Sequence, residues 1–185
     1  MSDSLTPSPV ELAEALDRIA LQKLAWAYCH AIDRQDFALL RSLYHDDAED
    51  DHSPMFKGGP DEYVAWLPSI LAHWQLTSHV ISNMNFVIAG DAAEGELVTM
   101  AYHRTADGSR EVIAHGRYLD RYLKRDGIWR FHRRSLVLDW FEDRPVQKGD
   151  GPGIDEGVEC GQPGSGDAVY TRLPLFARQR TAREA

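Results

Sequence analysis

The sequence predicts an α+β fold in which three N-terminal helices lie on one face of an antiparallel sheet. Apolar residues recur at helical spacing as far as Trp74, then give way to four stretches rich in β-branched and aromatic residues. The separators between those stretches, Gly90-Asp91, Asp107-Gly108 and Asp126-Gly127, are short glycine-bearing reversals of the kind that join antiparallel neighbours. Helices first and a long meander second is the order of a domain whose helices are segregated to one face of the sheet.

From Pro9 to Ile32, Leu12, Leu16, Ile19, Ala20, Leu24 and Ala27 fall on one helical stripe, with Glu11, Glu14, Arg18 and Lys23 toward solvent. A short second helix is expected from Asp36 to Leu43, with Phe37, Leu40 and Leu43 inward. Gly58-Gly59-Pro60-Asp61 carries breakers and a helix start, after which Tyr63, Trp66, Leu67, Ile70, Leu71 and Trp74 repeat with helical period. Pro68 removes a backbone hydrogen bond there, so this third helix is expected to kink or break. The strands are expected at His79–Ala89, Glu94–Thr105, Glu111–Lys124 and Ile128–Trp140, with Ala48–His52 as a candidate edge strand. Beyond Asp143 a run of glycines and prolines leaves too little apolar surface for independent order. Residues 1–143 therefore read as the domain and 144–185 as a Gly/Pro-rich arm. Tyr170, Leu173, Leu175 and Phe176 could dock that arm over the chain's own pocket or on a neighbouring subunit.

At 185 residues and 43% hydrophobic content, the chain can bury one core. Its 29 acidic against 20 basic residues give a net charge of −9, which repels phosphate backbones and anionic bilayers, so neither nucleic acid nor membrane is an expected partner. Cys29 and Cys160 can form neither a disulfide framework nor a cysteine zinc site, which fits a reducing cytoplasm. The N-terminus MSDSLTPSPV lacks a cationic start and apolar run, and no segment approaches the ~18 apolar residues of a membrane span. No phosphate-cradling glycine loop, nucleophile-elbow serine or HExxH helix is present.

Two residues invite a chemical reading together. Asp33 closes the first helix and His79 opens the first long strand; alone, the first is an ordinary capping or solvated carboxylate and the second an ordinary strand histidine. Paired, a carboxylate bonded to one imidazole nitrogen fixes the tautomer and makes the other nitrogen a better base. The acidic run His45, Asp46, Asp47, Glu49, Asp50, Asp51 and His52 has the residue types of a metal site, but reads as a solvated loop with a charge run, and no metal is expected.

The run Tyr28-x4-Asp33-x3-Phe37, then Leu43-Tyr44-His45-Asp46-Asp47-Ala48, Ser78-His79-x3-Asn83, Gly116-Arg117-Tyr118-x-Asp120-x-Tyr122 and Asp126-Gly127-x-Trp129-Arg130-Phe131 resembles the SnoaL-like branch of the nuclear-transport-factor-2-like superfamily, over residues 9 to 142. The resemblance implies an α+β cone with a pocket between the helices and a curved antiparallel sheet. It also implies a cofactor-free lyase acting on a hydrophobic cyclic or aromatic substrate, releasing water or another small group such as halide or formaldehyde. In that reading His79 removes the proton, Asp33 orients it, and Tyr28 is the candidate acid. His115, Arg134, Tyr44 and Asn83 are the implied substrate-binding residues, with Arg134 near the leaving group, and a homo-dimer or trimer formed through the outer sheet face is implied. The alternatives are a proton-shuttling isomerase, or a binding protein akin to a dioxygenase small subunit that needs no dyad.

The residues themselves leave three points open. A five-residue helical step rotates by about 140°, so Tyr28 and Asp33 face differently unless the helix ends or bends near Ile32. His103 competes with His115 for the pocket, and alternation cannot choose between residues on different strands. Alternation along Trp129, Phe131, Arg133 and Ser135 puts Arg133, not Arg134, with the aromatic face.

Overall fold

A computed structural model describes residues 6–147 and 157–184. Helix α1 spans Pro9–Asp33; Ser8 caps it by accepting the Glu11 amide while the Glu11 carboxylate returns to the Ser8 amide, and Pro9 fits the first turn, where no amide is needed. Its C-terminal half supplies the core face, with Leu21, Leu24, Ala25, Tyr28, Cys29, Ala31 and Ile32 buried. The expected stripe is therefore only partly internal. Leu12, Leu16 and Ile19 are 52%, 58% and 46% exposed, lying in the half of α1 that contributes no buried residue.

Helix α2, Phe37–Ser42, is capped by Asp36, which accepts the Leu39 amide. Helix α3, Pro60–Leu71, runs unbroken through Pro68 and buries Tyr63, Leu67 and Leu71. Trp74, expected on that helix, instead opens a strand.

Six strands follow in one sheet: β1 Tyr44–His52, β2 Phe56–Gly58, β3 Trp74–Ala89, β4 Ala92–Thr105, β5 Arg110–Arg125 and β6 Ile128–Pro145, in the order β2-β1-β6-β5-β4-β3. The β3–β6 meander is antiparallel as expected. The β5–β6 turn has Asp126 and Gly127 both at positive φ, the geometry that matches strand twist in a two-residue hairpin. The expected edge strand is a correction: β1 lies inside the sheet between β2 and β6 and runs parallel to β6, so the sheet is mixed. Its acidic residues form no loose loop. Asp46 pairs with Arg41, Asp47 with Arg125 and Asp51 with Lys57, while Asp50 turns inward.

Helices and sheet enclose one core with Leu21, Leu40, Leu97 and Phe131 fully buried, each contributing about 1.5–3 kcal/mol of burial. Bulges bend the sheet. Ser82 and Asn83 fall in the β3 irregularity between Ile81 and Met84, and β6 carries one extra residue at His132 and another at Asp139. Of the arm, Gly149, Gly151, Pro152 and Gly153 lie outside the described residues. Its later part forms a 3-10 turn at Gly164–Gly166, α4 at Ala168–Arg172 and α5 at Pro174–Glu184. Tyr170 is buried beside α1 and α2, its hydroxyl 2.9 Å from His30 Nε2 and 3.3 Å from the Asp36 carboxylate. Leu173 and Leu175 remain exposed. No helix among the described residues is long and apolar enough to cross a membrane.

Candidate active site

A cavity of about 460 Å³ opens between α1, α3 and the concave face of the sheet, walled mostly by apolar side chains such as Ile32, Trp66, Leu67, Ile70, Trp74, Leu136 and Phe141. Gly116 lines it where the β6 backbone comes close: a Cβ there would stand 2.3 Å from the Val137 carbonyl oxygen. Into this apolar space project His79, His103, His52, Tyr28, Tyr63 and Thr99. None of the described residues of the arm lines it.

Asp33 is the last residue of α1, and that position resolves the rotation problem: the helix ends there, so Tyr28 faces the cavity from the helix body while Asp33 reaches across to β3. Its Oδ1 accepts from Thr77 Oγ1 at 2.9 Å and lies 2.7 Å from His79 Nδ1; its Oδ2 accepts the His79 amide at 2.8 Å. Burial works to raise the Asp33 carboxyl, but the His79 ring, the His79 amide and Thr77 together outweigh it and hold the group below its ordinary value. An ionised carboxylate only accepts, so the nitrogen facing it carries the hydrogen, leaving Nε2 of His79 for the cavity.

His103 stands edge-on to His79, ring centroids 5.4 Å apart, with Trp74 on its other side at 4.9 Å. Burial first, and the His79 charge second, lower it to about 4, so it is neutral at neutral pH. Tyr28 and Tyr63 touch hydroxyl to hydroxyl at 2.7 Å, and burial pushes both phenols well up, so both stay protonated. Thr99 Oγ1 is buried without a hydrogen-bond partner among the described residues. His52 Nδ1 lies 2.5 Å from Asp50 Oδ1, and its ring stacks on Tyr63.

Four expected substrate contacts stand elsewhere. His115 is not in the cavity wall, which takes its neighbours Ala114 and Gly116; it stacks on Trp140 at 5.3 Å, and His103 occupies the place expected of it. Arg134 is fully buried and bound to Asp120 through Nε and Nη2, at 2.8 and 2.7 Å. The rings of Tyr28, Tyr118 and Phe131 cover its guanidinium at 4.0–4.2 Å, so it lies behind the cavity wall. The bulge at His132 is the cause: it turns Phe131 and Arg134 to the same face and leaves Arg133 outside. Tyr44 is buried, its hydroxyl donating to Asp50 at 2.6 Å, and it does not line the cavity; Asn83 is exposed in the β3 bulge. Sequence reasoning passed over Tyr63, Thr99 and His52 as site residues. For His52 a signal existed, because Asp50 and His52 alternate on one strand and so share a face. No three His, Cys, Asp or Glu side chains are grouped to share a metal ion among the described residues.

Comparison with known proteins follows the same lines. The family model of the SnoaL-like domain matches residues 13–135. A Mycobacterium tuberculosis protein, uncharacterised, is 27% identical over 135 residues, 70% of this chain and 90% of its own length. The crystal structure of a scytalone dehydratase-like protein from Novosphingobium aromaticivorans DSM 12444 superposes with a TM-score of 0.66 at 28% identity, covering 72% of this chain and 91% of that one. A hexachlorocyclohexane dehydrochlorinase from Novosphingobium barchaimii LL02 superposes at 0.69 with 20% identity, covering 76% and 99%, and shares the fold.

Proposed function

The chain belongs to the SnoaL-like domain family, and within it we propose a lyase that needs no bound cofactor and eliminates a small group, water first among the candidates, from a hydrophobic cyclic or aromatic substrate. The observation that carries this is the Asp33–His79 pair, whose imidazole is fixed through Nδ1 and presents Nε2 to an apolar cavity. The likeness to a scytalone dehydratase-like protein at 28% identity supports it.

The base takes a proton from a carbon made acidic by a neighbouring carbonyl or aryl group, and Asp33 stabilises the imidazolium that forms. Apolar walls exclude water and strengthen each polar contact inside. Tyr28, its phenol pushed up by burial, serves as a hydrogen-bond donor to a substrate oxygen, with Tyr63 as its partner. His103, kept neutral, leaves the base without a permanent positive neighbour. The test compares wild type with Asp33→Asn and His79→Ala on hydroxylated and halogenated cyclic and aryl compounds, following products by mass spectrometry without added cofactor. Release of water, halide or formaldehyde by wild type, and its loss in both folded variants, is the expected result. No turnover, or variants equal to wild type, sinks the lyase reading in favour of a binding protein.

We also propose that copies of the chain associate through the outer face of the sheet. Val80, Met100, His115 and Trp140 are register partners across β3, β4, β5 and β6 and form one continuous row, with Val80, Met100 and Trp140 each more than 40% exposed. Met100→Glu is expected to convert a dimer or trimer to monomer by light scattering; a wild type already monomeric overturns this.

A further inference from the structure

The cavity wall carries a second imidazole, His52, backed by the buried carboxylate of Asp50, and the base chemistry gives this pair no task. Asp50 and His52 alternate on β1, so both side chains point inward. Asp50 is wholly buried; its Oδ2 accepts the Tyr44 hydroxyl and its Oδ1 meets His52 Nδ1. Arg134 lies opposite Asp50 in the strand register but gives its hydrogen bonds to Asp120. Among the described residues, the nitrogen group hydrogen-bonded to this buried carboxylate is therefore the His52 ring, which in its protonated form compensates a charge that is costly to bury alone.

The His52 ring is held on two sides, stacked on Tyr63 at 5.6 Å and met edge-on by Tyr118 at 6.0 Å. Its Nδ1 is committed to Asp50, its Nε2 has no hydrogen-bond partner among the described residues, and the residue lines the cavity. In the strand order β4, β5 and β6 separate β3, which carries His79, from β1, which carries His52. The two imidazoles thus stand on opposite flanks of the concave face. The phenols of Tyr28 and Tyr63 are poor proton sources for a departing oxygen, whereas an imidazolium can supply a proton near neutral pH.

We propose that His52 is a second catalytic residue, the acid that protonates the departing oxygen, and that the enzyme's substrates therefore lose a hydroxyl. This rests on the lyase reading above. In the step, His79 Nε2 takes the proton of the C–H bond, whose electron pair becomes the new C=C bond. The C–O bond breaks with its pair on oxygen, which takes the Nε2 proton of the His52 imidazolium and leaves as water. His79 ends protonated and His52 neutral, still hydrogen-bonded to Asp50, and exchange with solvent resets both. A halide leaving group carries its own pair away as a stable anion and needs no such proton.

That difference supplies the test. One scaffold that wild type converts in the panel above is prepared with a hydroxyl and with a chloride as the leaving group, and kcat/KM is measured for both. His52→Gln is expected to lower the hydroxyl reaction about 10²–10⁴-fold while changing the chloride reaction less than about tenfold. His79→Gln is expected to lower both alike. Equal loss on both substrates with His52→Gln, or loss on neither, overturns the acid assignment, as does a wild type that converts only the chloride. His52→Asn repeats the measurement in a smaller side chain should Gln disturb the fold. If His79→Gln spares both reactions while His52→Gln discriminates between them, the base assignment fails and His52 stands. A wild type that converts neither ends the lyase reading and this inference with it.

Discussion

Two carboxylates of this domain each hold a nitrogen base, and they do so in opposite ways. Asp120 and Arg134 are both fully buried, bound through two hydrogen bonds, with Tyr122 donating to the same carboxylate and three aromatic rings closing over the guanidinium. Asp33 and His79 are also bonded at 2.7 Å, but their side chains keep 10% and 11% exposure, and His79 lines the cavity. The sealed pair offers a ligand no accessible atom, since Arg134 Nη1, which has no hydrogen-bond partner among the described residues, is itself buried, and it cannot change its charge, since guanidinium stays protonated. The open pair has an unoccupied ring nitrogen and a side chain that can both gain and lose a proton. Pairing with a buried carboxylate therefore does not mark a functional residue. Access to the cavity by a group that can gain or lose a proton does.

The comparison is broken most directly by removing the open pair. Asp33→Asn is expected to cost up to ~10⁴ in kcat, about 5.5 kcal/mol of barrier, because the amide no longer fixes the tautomer or stabilises the imidazolium. Folding is expected to change far less, by about 1 kcal/mol, since the amide oxygen can still accept from Thr77. A stability loss as large as the activity loss in urea melts would make the pair structural.

For the sealed pair the expectation is reversed. Arg134→Met leaves Asp120 buried with only Tyr122 as donor, at a cost of roughly 3–5 kcal/mol in unfolding free energy. Adding Asp120→Asn to Arg134→Met should recover part of that loss, because the stranded charge disappears. If Arg134→Met melts like wild type but loses activity, the arginine acts on substrate after all and its seal of aromatic rings must open.

How each pair was read from sequence shows what pattern can and cannot carry. The helices and meander were legible because burial imposes periods of 3.6 and 2 on apolar residues. A parallel β1–β6 neighbour leaves no local mark, since it depends on where α1 and α2 deliver the chain, so the pattern alone points to an edge. The place of Arg134 is not legible because the one extra residue at His132 reverses the alternation beyond it, and nothing in Phe131-His132-Arg133-Arg134 announces a bulge. His103 and His115 face opposite sides of the sheet from adjacent strands, and their choice needed the register that places Met100, not His103, opposite His115. His52 was hidden among acidic neighbours whose charges are matched at the surface.

His103 is the intermediate case and sharpens the comparison through pH. It lies in the cavity beside His79, between Trp74 and the base, and burial rather than a partner sets its charge, lowering it from 6.5 to about 4. The unfolded chain therefore binds a proton at this position below about pH 6.5 that the folded protein refuses until about pH 4, so stability rises with pH across that window and is lost as pH falls through it. At ~1.4 kcal/mol per pH unit the contribution approaches roughly 3 kcal/mol, with Asp33 nearby tending to lessen it and the His79 charge to increase it. His103→Phe is expected to flatten the stability profile between pH 6.5 and pH 4 in urea melts while the rest of the acid limb remains. An unchanged slope would mean that His103 takes up its proton in the folded cavity, and a second imidazolium would then stand against His79 and depress its basicity, making His103 part of the catalytic apparatus instead of its neutral wall.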